Sequence, residues 1–139
     1  MNCKAKCKRY TIDEIRAREP DPEEWELRND MVKKVTVQCC EYGFLSLGID
    51  YVSGRQGVGY GHANNSNIGL MIHDFADLLG VGHINGDVME AMRNKPIRVM
   101  FKNDWGGKVV DSTYIGNFIE DKFIKMSELV LLGLDKEGK

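Results

Sequence analysis

The spacing of apolar positions changes along the chain, and each change predicts a different element. From Lys33, Val35 and Val37 alternate with Thr36 and Gln38. Glu41-Tyr42-Gly43 then supplies a turn, and Phe44, Leu45, Leu47 and Ile49 resume an extended pattern, which predicts a hairpin. Between Ile68 and Leu79 the apolar residues Ile68, Met71, Ile72, Phe75, Leu78 and Leu79 recur at steps of three and four, the stripe of a helix. Asn65, Ser66 or Asn67 caps its start, and Gly80 stands where a left-handed terminating residue is wanted. A shorter helix over residues 87–93 carries Val88, Ala91 and Met92 and ends before Pro96. Ile97–Phe101 and Val109–Ile115 read as strands flanking a polar connection, Asn103-Asp104-Trp105-Gly106-Gly107. Ile119–Phe123 is expected to extend the last strand, and Ser127-Glu128-Leu129 to open a terminal turn of helix.

The first 30 residues have another texture, rich in charge and broken by Pro20 and Pro22. Thr11-Ile12-Asp13-Glu14 has capping-box spacing, in which a hydroxyl and a carboxylate satisfy each other's orphan amides, so a helix is predicted over residues 12–18. Asp21-Pro22-Glu23-Glu24 offers a cap, a proline in the first turn and acids at the positive helix end, predicting a second short helix that carries Trp25 and Leu27. The expected organisation is therefore an N-terminal charged arm over residues 1–30 and a single α+β ligand-binding domain over 31–139. In that domain an antiparallel sheet of hairpins packs against one long and one short helix, because strands, then helices, then strands argue against alternating α/β.

Composition narrows the partners. The chain has 139 residues, of which 42% are hydrophobic, in the range of a globular domain. Nineteen basic and 21 acidic residues give a formal charge of -2, so the chain lacks the broad basic field that drives non-specific nucleic-acid binding, and an anionic ligand must be met locally. No apolar run approaches the roughly 20 residues of a membrane helix, and Met1-Asn2-Cys3-Lys4 does not begin a secretory signal. No membrane partner, no nucleic-acid partner and a cytoplasmic location are the expectation. Cys3-x3-Cys7 could give half of a zinc site, but the matching pair would have to be the adjacent Cys39-Cys40, whose side chains point to opposite faces of a strand, so the four read as free thiols. His62, His73 and His83 are eleven and ten apart and form no helical ligand pair, so neither a metal nor a cofactor is expected.

Two segments carry candidate chemistry. Ser53-Gly54-Arg55-Gln56-Gly57-Val58-Gly59-Tyr60-Gly61-His62 holds four glycines within eight residues, which lets backbone approach something closely. It matches neither a Walker pattern nor the dinucleotide fingerprint. Read as a loop, it presents Arg55 to clamp a phosphate, while a plain sheet-turn role remains open. The second segment, Arg98-Val99-Met100-Phe101-Lys102-Asn103-Asp104-Trp105, gathers cations, two large aromatics and an amide around one hairpin, a set suited to a nucleobase. The alternative makes Phe101 a core residue, Trp105 a lid and Asn103-Asp104 turn formers. No catalytic residue is assigned: Ser53 and Ser66 lack a nucleophile-elbow setting, and His62 and His73 lack a carboxylate at diagnostic spacing. Asp50, Asp74 and Asp77 around a metal would make a nucleotide hydrolase, but Asp74 and Asp77 read as a solvated helix face, and His73 beside them as a capping or interfacial side chain.

The order of segments over Val35–Leu129 resembles a family of small phage and prophage proteins, the Thoeris anti-defence proteins that bind cyclic ADP-ribose-type signals without degrading them. The similar stretches are Leu47-Gly48-Ile49-Asp50-Tyr51 with Ser53–Gly59, Asp74-Phe75-Ala76-Asp77-Leu78-Leu79-Gly80-Val81, Lys95–Val99, Trp105-Gly106-Gly107-Lys108-Val109, Ile115–Ile119 and Asp121-Lys122-Phe123. The resemblance implies a homo-oligomer whose pocket lies at a protomer junction, with aromatic and Asn residues on the base and arginines on the pyrophosphate. Arg55, Gln56, Arg98, Phe101, Asn103 and Trp105 are the candidate ligand residues. The implied function is an anti-defence protein, in the cytoplasm of a bacterial host, that sequesters a cyclic nucleotide. The alternatives are a protein-protein inhibitor module acting on a host enzyme and a small nucleotide hydrolase.

Overall fold

The computed structural model describes residues 6–19, 21–39, 45–63, 67–81, 87–102, 113–129 and 132. Among these residues it shows an α+β fold with a six-stranded antiparallel sheet and four short helices. The strands are β1 (Trp25–Cys39), β2 (Leu45–Tyr51), β3 (Arg55–Ala63), β4 (Pro96–Lys102), β5 (Thr113–Asn117) and β6 (Phe123–Lys125), and the helices are α1 (Ile12–Arg18), α2 (Ile68–Leu78), α3 (Val88–Ala91) and α4 (Met126–Leu129). Across the sheet the order is β3-β2-β1-β4-β5-β6.

β1 is the spine. Its first half, Trp25–Met31, pairs with β4, and its second half, Val32–Cys39, pairs with β2, with a bulge between Val32 and Lys34. The expected short helix carrying Trp25 and Leu27 is thus replaced by a three-residue 3-10 turn, Pro22–Glu24, that delivers Trp25 directly into the strand. The acids after Pro22 do not prolong the helix because Trp25 and Leu27, two apart, share one strand face and bury it against the second core.

Both faces of the β1–β4–β5 region are covered, which is why Ile97–Phe101 reads as a nearly continuous apolar run rather than an alternation. Ile97, Val99 and Phe101 join α2 in the larger core with Val35, Leu47, Ile49, Phe75 and Ile124. Met100 faces the opposite core, where Tyr10, Ile15, Trp25, Tyr114 and Phe123 meet. α1 caps that core with Ile15 fully buried, and its start is the expected capping box: Thr11 Oγ1 accepts from Glu14 N at 3.1 Å and Glu14 Oε1 accepts from Thr11 N at 2.8 Å. Tyr10 exchanges two backbone hydrogen bonds of 2.8 Å with Phe123, so the segment before α1 crosses and blunts the β6 edge of the sheet.

Elsewhere the predicted helices recur with shifted ends. α2 matches its stripe and stops at Gly80, whose φ of +82° is the left-handed terminator the glycine permits. α3 is a single turn whose Asp87 cap accepts from Met89 N and Glu90 N. Residues 118–121 bend and β6 returns antiparallel to β5, so Ile119 does not extend the last strand; α4 follows where Ser127-Glu128-Leu129 predicts a helical turn. Among the described residues no helix is long and apolar enough to cross a membrane.

Candidate functional site

The glycine-rich segment is not a loop. Arg55 opens β3, and the glycines continue in a strand paired to β2 through Asp50↔Arg55, Ile49↔Gln56, Gly48↔Gly57 and Leu47↔Val58. Successive strand side chains alternate between faces, so Arg55 and Gln56 lie on opposite sides of the sheet. Gln56 is on the core side, where its Oε1 accepts from the Tyr51 hydroxyl at 2.7 Å. Burial, and then the nearby Asp30 carboxylate, push the Tyr51 phenol up, so it remains a neutral donor.

Combining the two registers places three cross-strand rows on the face that Arg55 shares. Lys34, Asp50 and Arg55 form the first; Thr36, Gly48 and Gly57 the second, about 7 Å further along the strands; Gln38 and Ser46 extend the third. The middle row has two glycines out of three and makes a low floor. Arg55 lies down onto it: Nη1 pairs with Asp50 Oδ1 at 3.2 Å, while Nη2 sits where a Gly48 side chain would be, 2.7 Å from an added Cβ. Thr36 Oγ1 and Gln38 Oε1 border the same spot at 3.0 and 3.4 Å. Lys34 and Gln38 are exposed, and the Arg55 side chain keeps 48% of its surface. The chemistry offered is a guanidinium, an ammonium and a carboxylate around hydroxyl and amide groups on a flat backbone floor.

A groove of about 400 Å³ adjoins this face. Lys34, Val35, Thr36 and Val37 line one wall and Asp87, Met89, Glu90 and Arg93 from the α3 region the other. Lys34 and Thr36 belong to both groove and polar face, and Val35 and Val37, which alternate with them, line the groove too, so it runs along the edge of β1.

The other candidate residues are placed differently. Arg98 pairs with Asn29 on β1, five residues before Lys34, which is about 17 Å of strand, and it lies on the β4 flank of β1, whereas Arg55 lies beyond β2 on the other flank. Its guanidinium stacks over the Phe123 ring at 5.7 Å. Phe101 is buried in the larger core with Arg28 over its ring at 4.9 Å. Within one chain the structure does not bring Arg98 or Phe101 to Arg55. Asn103 and Trp105 lie outside the described residues.

Asp74, expected on a solvated helix face, is completely buried. Its Oδ2 accepts from Cys7 N at 2.8 Å, and its Oδ1 lies 2.8 Å from Arg9 Nη1. Asp77 on the exposed side pairs with Lys6 at 3.1 Å and Arg9 at 3.2 Å, so these carboxylates hold the N-terminal segment on α2 rather than converge on Asp50. Burial, and then Asp74, raise the Cys7 thiol well above its ordinary value, which keeps it protonated and unreactive. Among the described residues no three His, Cys, Asp or Glu side chains gather as a metal-binding set.

Asp50, Lys34, Thr36 and Gly48 surround Arg55 and are candidate residues that single-segment reading missed as a group. Their signal is a pairing: Gly48 and Gly57 fall opposite each other only once β2 and β3 are put in register. No protein-family model matches the chain, and no curated protein or solved structure matches it either.

Proposed function

We propose that this chain is a phage-encoded anti-defence protein that binds a cyclic ADP-ribose-type nucleotide signal and sequesters it, uncleaved, in a bacterial host cell. The observation that carries the reading is Arg55 laid across the Gly48 floor, beside an open groove. A guanidinium held by one edge keeps its remaining N–H groups for phosphate and its flat face for a base. The groove volume falls within the range of small-ligand sites, and the segment resemblance described above supplies the ligand class. Arg98 projects on the same side of the sheet but beyond reach of a ligand on Arg55, so in this reading a second copy of the chain supplies the further cations, as a homo-oligomer would.

Titrating the purified chain with cyclic ADP-ribose isomers, then heating it and analysing the released compound, is expected to show binding and return of the intact molecule. No heat of binding for any isomer, or recovery of a cleaved product, overturns the proposal. Arg55→Ala is expected to weaken binding by about tenfold to a hundredfold, the worth of losing charged hydrogen bonds. Gly48→Ala is expected to weaken it as well, by lifting the guanidinium off the floor. Neither should move the melting temperature by more than a few degrees, because the atom nearest an added methyl at Gly48 is the far end of the flexible Arg55 side chain, and Thr36 Oγ1 at 3.0 Å need give only a few tenths of an ångström. Unchanged affinity in both variants places the ligand elsewhere.

A second reading, the protein-protein inhibitor module, is favoured by the β5–β6 turn. Ile119 is 88% exposed and Phe118 stands beside it. Asn117 fixes their backbone: its Oδ1 accepts from Ile119 N at 2.7 Å and Glu120 N at 2.8 Å, and its Nδ2 donates to the Leu78 carbonyl at 2.7 Å. An apolar tip held this firmly suits insertion into another protein. Ile119→Asp is then expected to abolish stoichiometric co-purification of a host enzyme while leaving nucleotide binding intact.

A further inference from the structure

On the reading that the Arg55 face binds a nucleotide, we infer that Asp50 is its specificity-determining residue and selects a ligand that carries a ribose diol beside its phosphate. A site made for phosphate alone has no use for a carboxylate at its centre. Phosphate oxygens are acceptors and negatively charged, and Asp50 stands between the two cations of its row, Lys34 on β1 and Arg55 on β3. Its side chain is 34% exposed, so the charge is offered to the face rather than buried as a structural counter-ion.

The chemistry that fits is a pair of hydroxyl donors. An ionised carboxylate only accepts, through two oxygens with about four lone-pair positions, and Arg55 engages Oδ1 from one side. Two neighbouring sugar hydroxyls donate to such a group, as acidic side chains do for ribose in dinucleotide sites. Phosphate attached to the same sugar then meets Arg55 or Lys34, and Thr36 and Gln38 meet polar atoms above the glycine floor. Bare pyrophosphate satisfies the cations but meets Asp50 as a like charge. The carboxylate therefore costs affinity for simple phosphates and gains it for ribose-bearing ones.

The structural alternative is that Asp50 and Arg55 are a cross-strand ion pair and nothing more. Such a half-exposed pair adds little to a sheet, and removing the charge would leave ligand preference unchanged.

Calorimetric titration of the full chain and of Asp50→Asn with three probes separates these outcomes. The probes are cyclic ADP-ribose, an analogue lacking the ribose 2′-hydroxyls, and inorganic pyrophosphate. Wild type is expected to prefer cyclic ADP-ribose to its deoxy analogue by about tenfold, the value of a hydrogen bond to a charged group. Asp50→Asn is expected to lose that preference and to bind pyrophosphate more tightly, with a melting temperature close to wild type. If wild type binds cyclic ADP-ribose and its deoxy analogue equally, or Asp50→Asn keeps the wild-type preference, the role of Asp50 falls while nucleotide binding stands. If wild type binds none of the three, the nucleotide reading itself falls and Asp50 with it.

Discussion

Arg9→Ala is expected to lower the unfolding free energy by about 3 kcal/mol, because it strands a carboxylate that the fold has placed entirely out of water. Asp74 has 0% exposure. The Arg9 side chain is 22% exposed and spans Asp74 at 2.8 Å and Asp77 at 3.2 Å, so a single guanidinium ties two successive turns of α2 to the segment that crosses the β6 edge. Removing it leaves Cys7 N as the remaining hydrogen-bond donor described for Asp74. Asp74→Asn tests the same clamp from the other side: the amide oxygen still accepts from Cys7 N, but the charge attraction is gone, so its cost should be smaller than that of Asp74→Ala. Lys6→Ala removes only the exposed contact to Asp77 and is expected to cost about 0.5 kcal/mol or less. Urea unfolding of the set gives the ordering directly, and an Arg9→Ala value within 1 kcal/mol of wild type would show that water replaces the guanidinium at no loss. The pH dependence has a defined sign. Burial pushes the Asp77 carboxyl up, but Lys6, Arg9 and His73 more than offset this and hold it below its ordinary value of 3.8. A carboxyl depressed in the folded state stabilises the fold above its unfolded value, so this contribution is intact at neutral pH and fades as pH falls through 3.8 and below.

The same clamp shows what the sequence conveyed and what it withheld. Elements set by local rules were readable: the Thr11 and Glu14 capping box, the α2 stripe with Gly80 after it, and the alternation that makes β1 and β2 a hairpin. Asp74 was not, because apolar residues were taken to define the buried face. The spacing held the clue, since Asp74 is three residues after Met71 and four before Leu78, on the side that both of them bury. A carboxylate tolerates that position only because a cation 65 residues away comes to it, and no local pattern announces a partner at such a distance. Trp25 and Leu27 misled for a related reason: Asp21-Pro22-Glu23-Glu24 is good helix-opening chemistry, and strand pairing with Met100 and Lys102 overrode it. At the candidate site, Arg55 was legible as an arginine among glycines. Its neighbours Lys34, Thr36 and Asp50 lie on two other strands and needed the register. Arg98 and Phe101 are close in sequence to the second candidate hairpin, yet their adjacency along β4 sends one to each face's interior or rim, because three residues apart on a strand means opposite sides.

Gly116→Val is expected to cost about 3 kcal/mol, and the reason lies across the β5–β6 pair rather than in the backbone of Gly116 itself. Gly116 stands opposite Phe123, and a Cβ added there would overlap the aromatic ring, which rests on the glycine. Phe123 is fully buried, with Tyr10, Trp25, Met100 and Tyr114 in the same core and the Arg98 guanidinium over its ring at 5.7 Å. The ring has no free side to which it can retreat, unlike Arg55 above Gly48, so the two glycines predict opposite outcomes for the same kind of change. Phe123→Ala alone should cost about 3 to 5 kcal/mol through the cavity it leaves. In the double variant the valine occupies part of that cavity, so the combined loss should fall short of the sum by at least about 1 kcal/mol. Denaturant unfolding of the four proteins measures this coupling. Strict additivity would mean that Gly116 is there for some reason other than the ring.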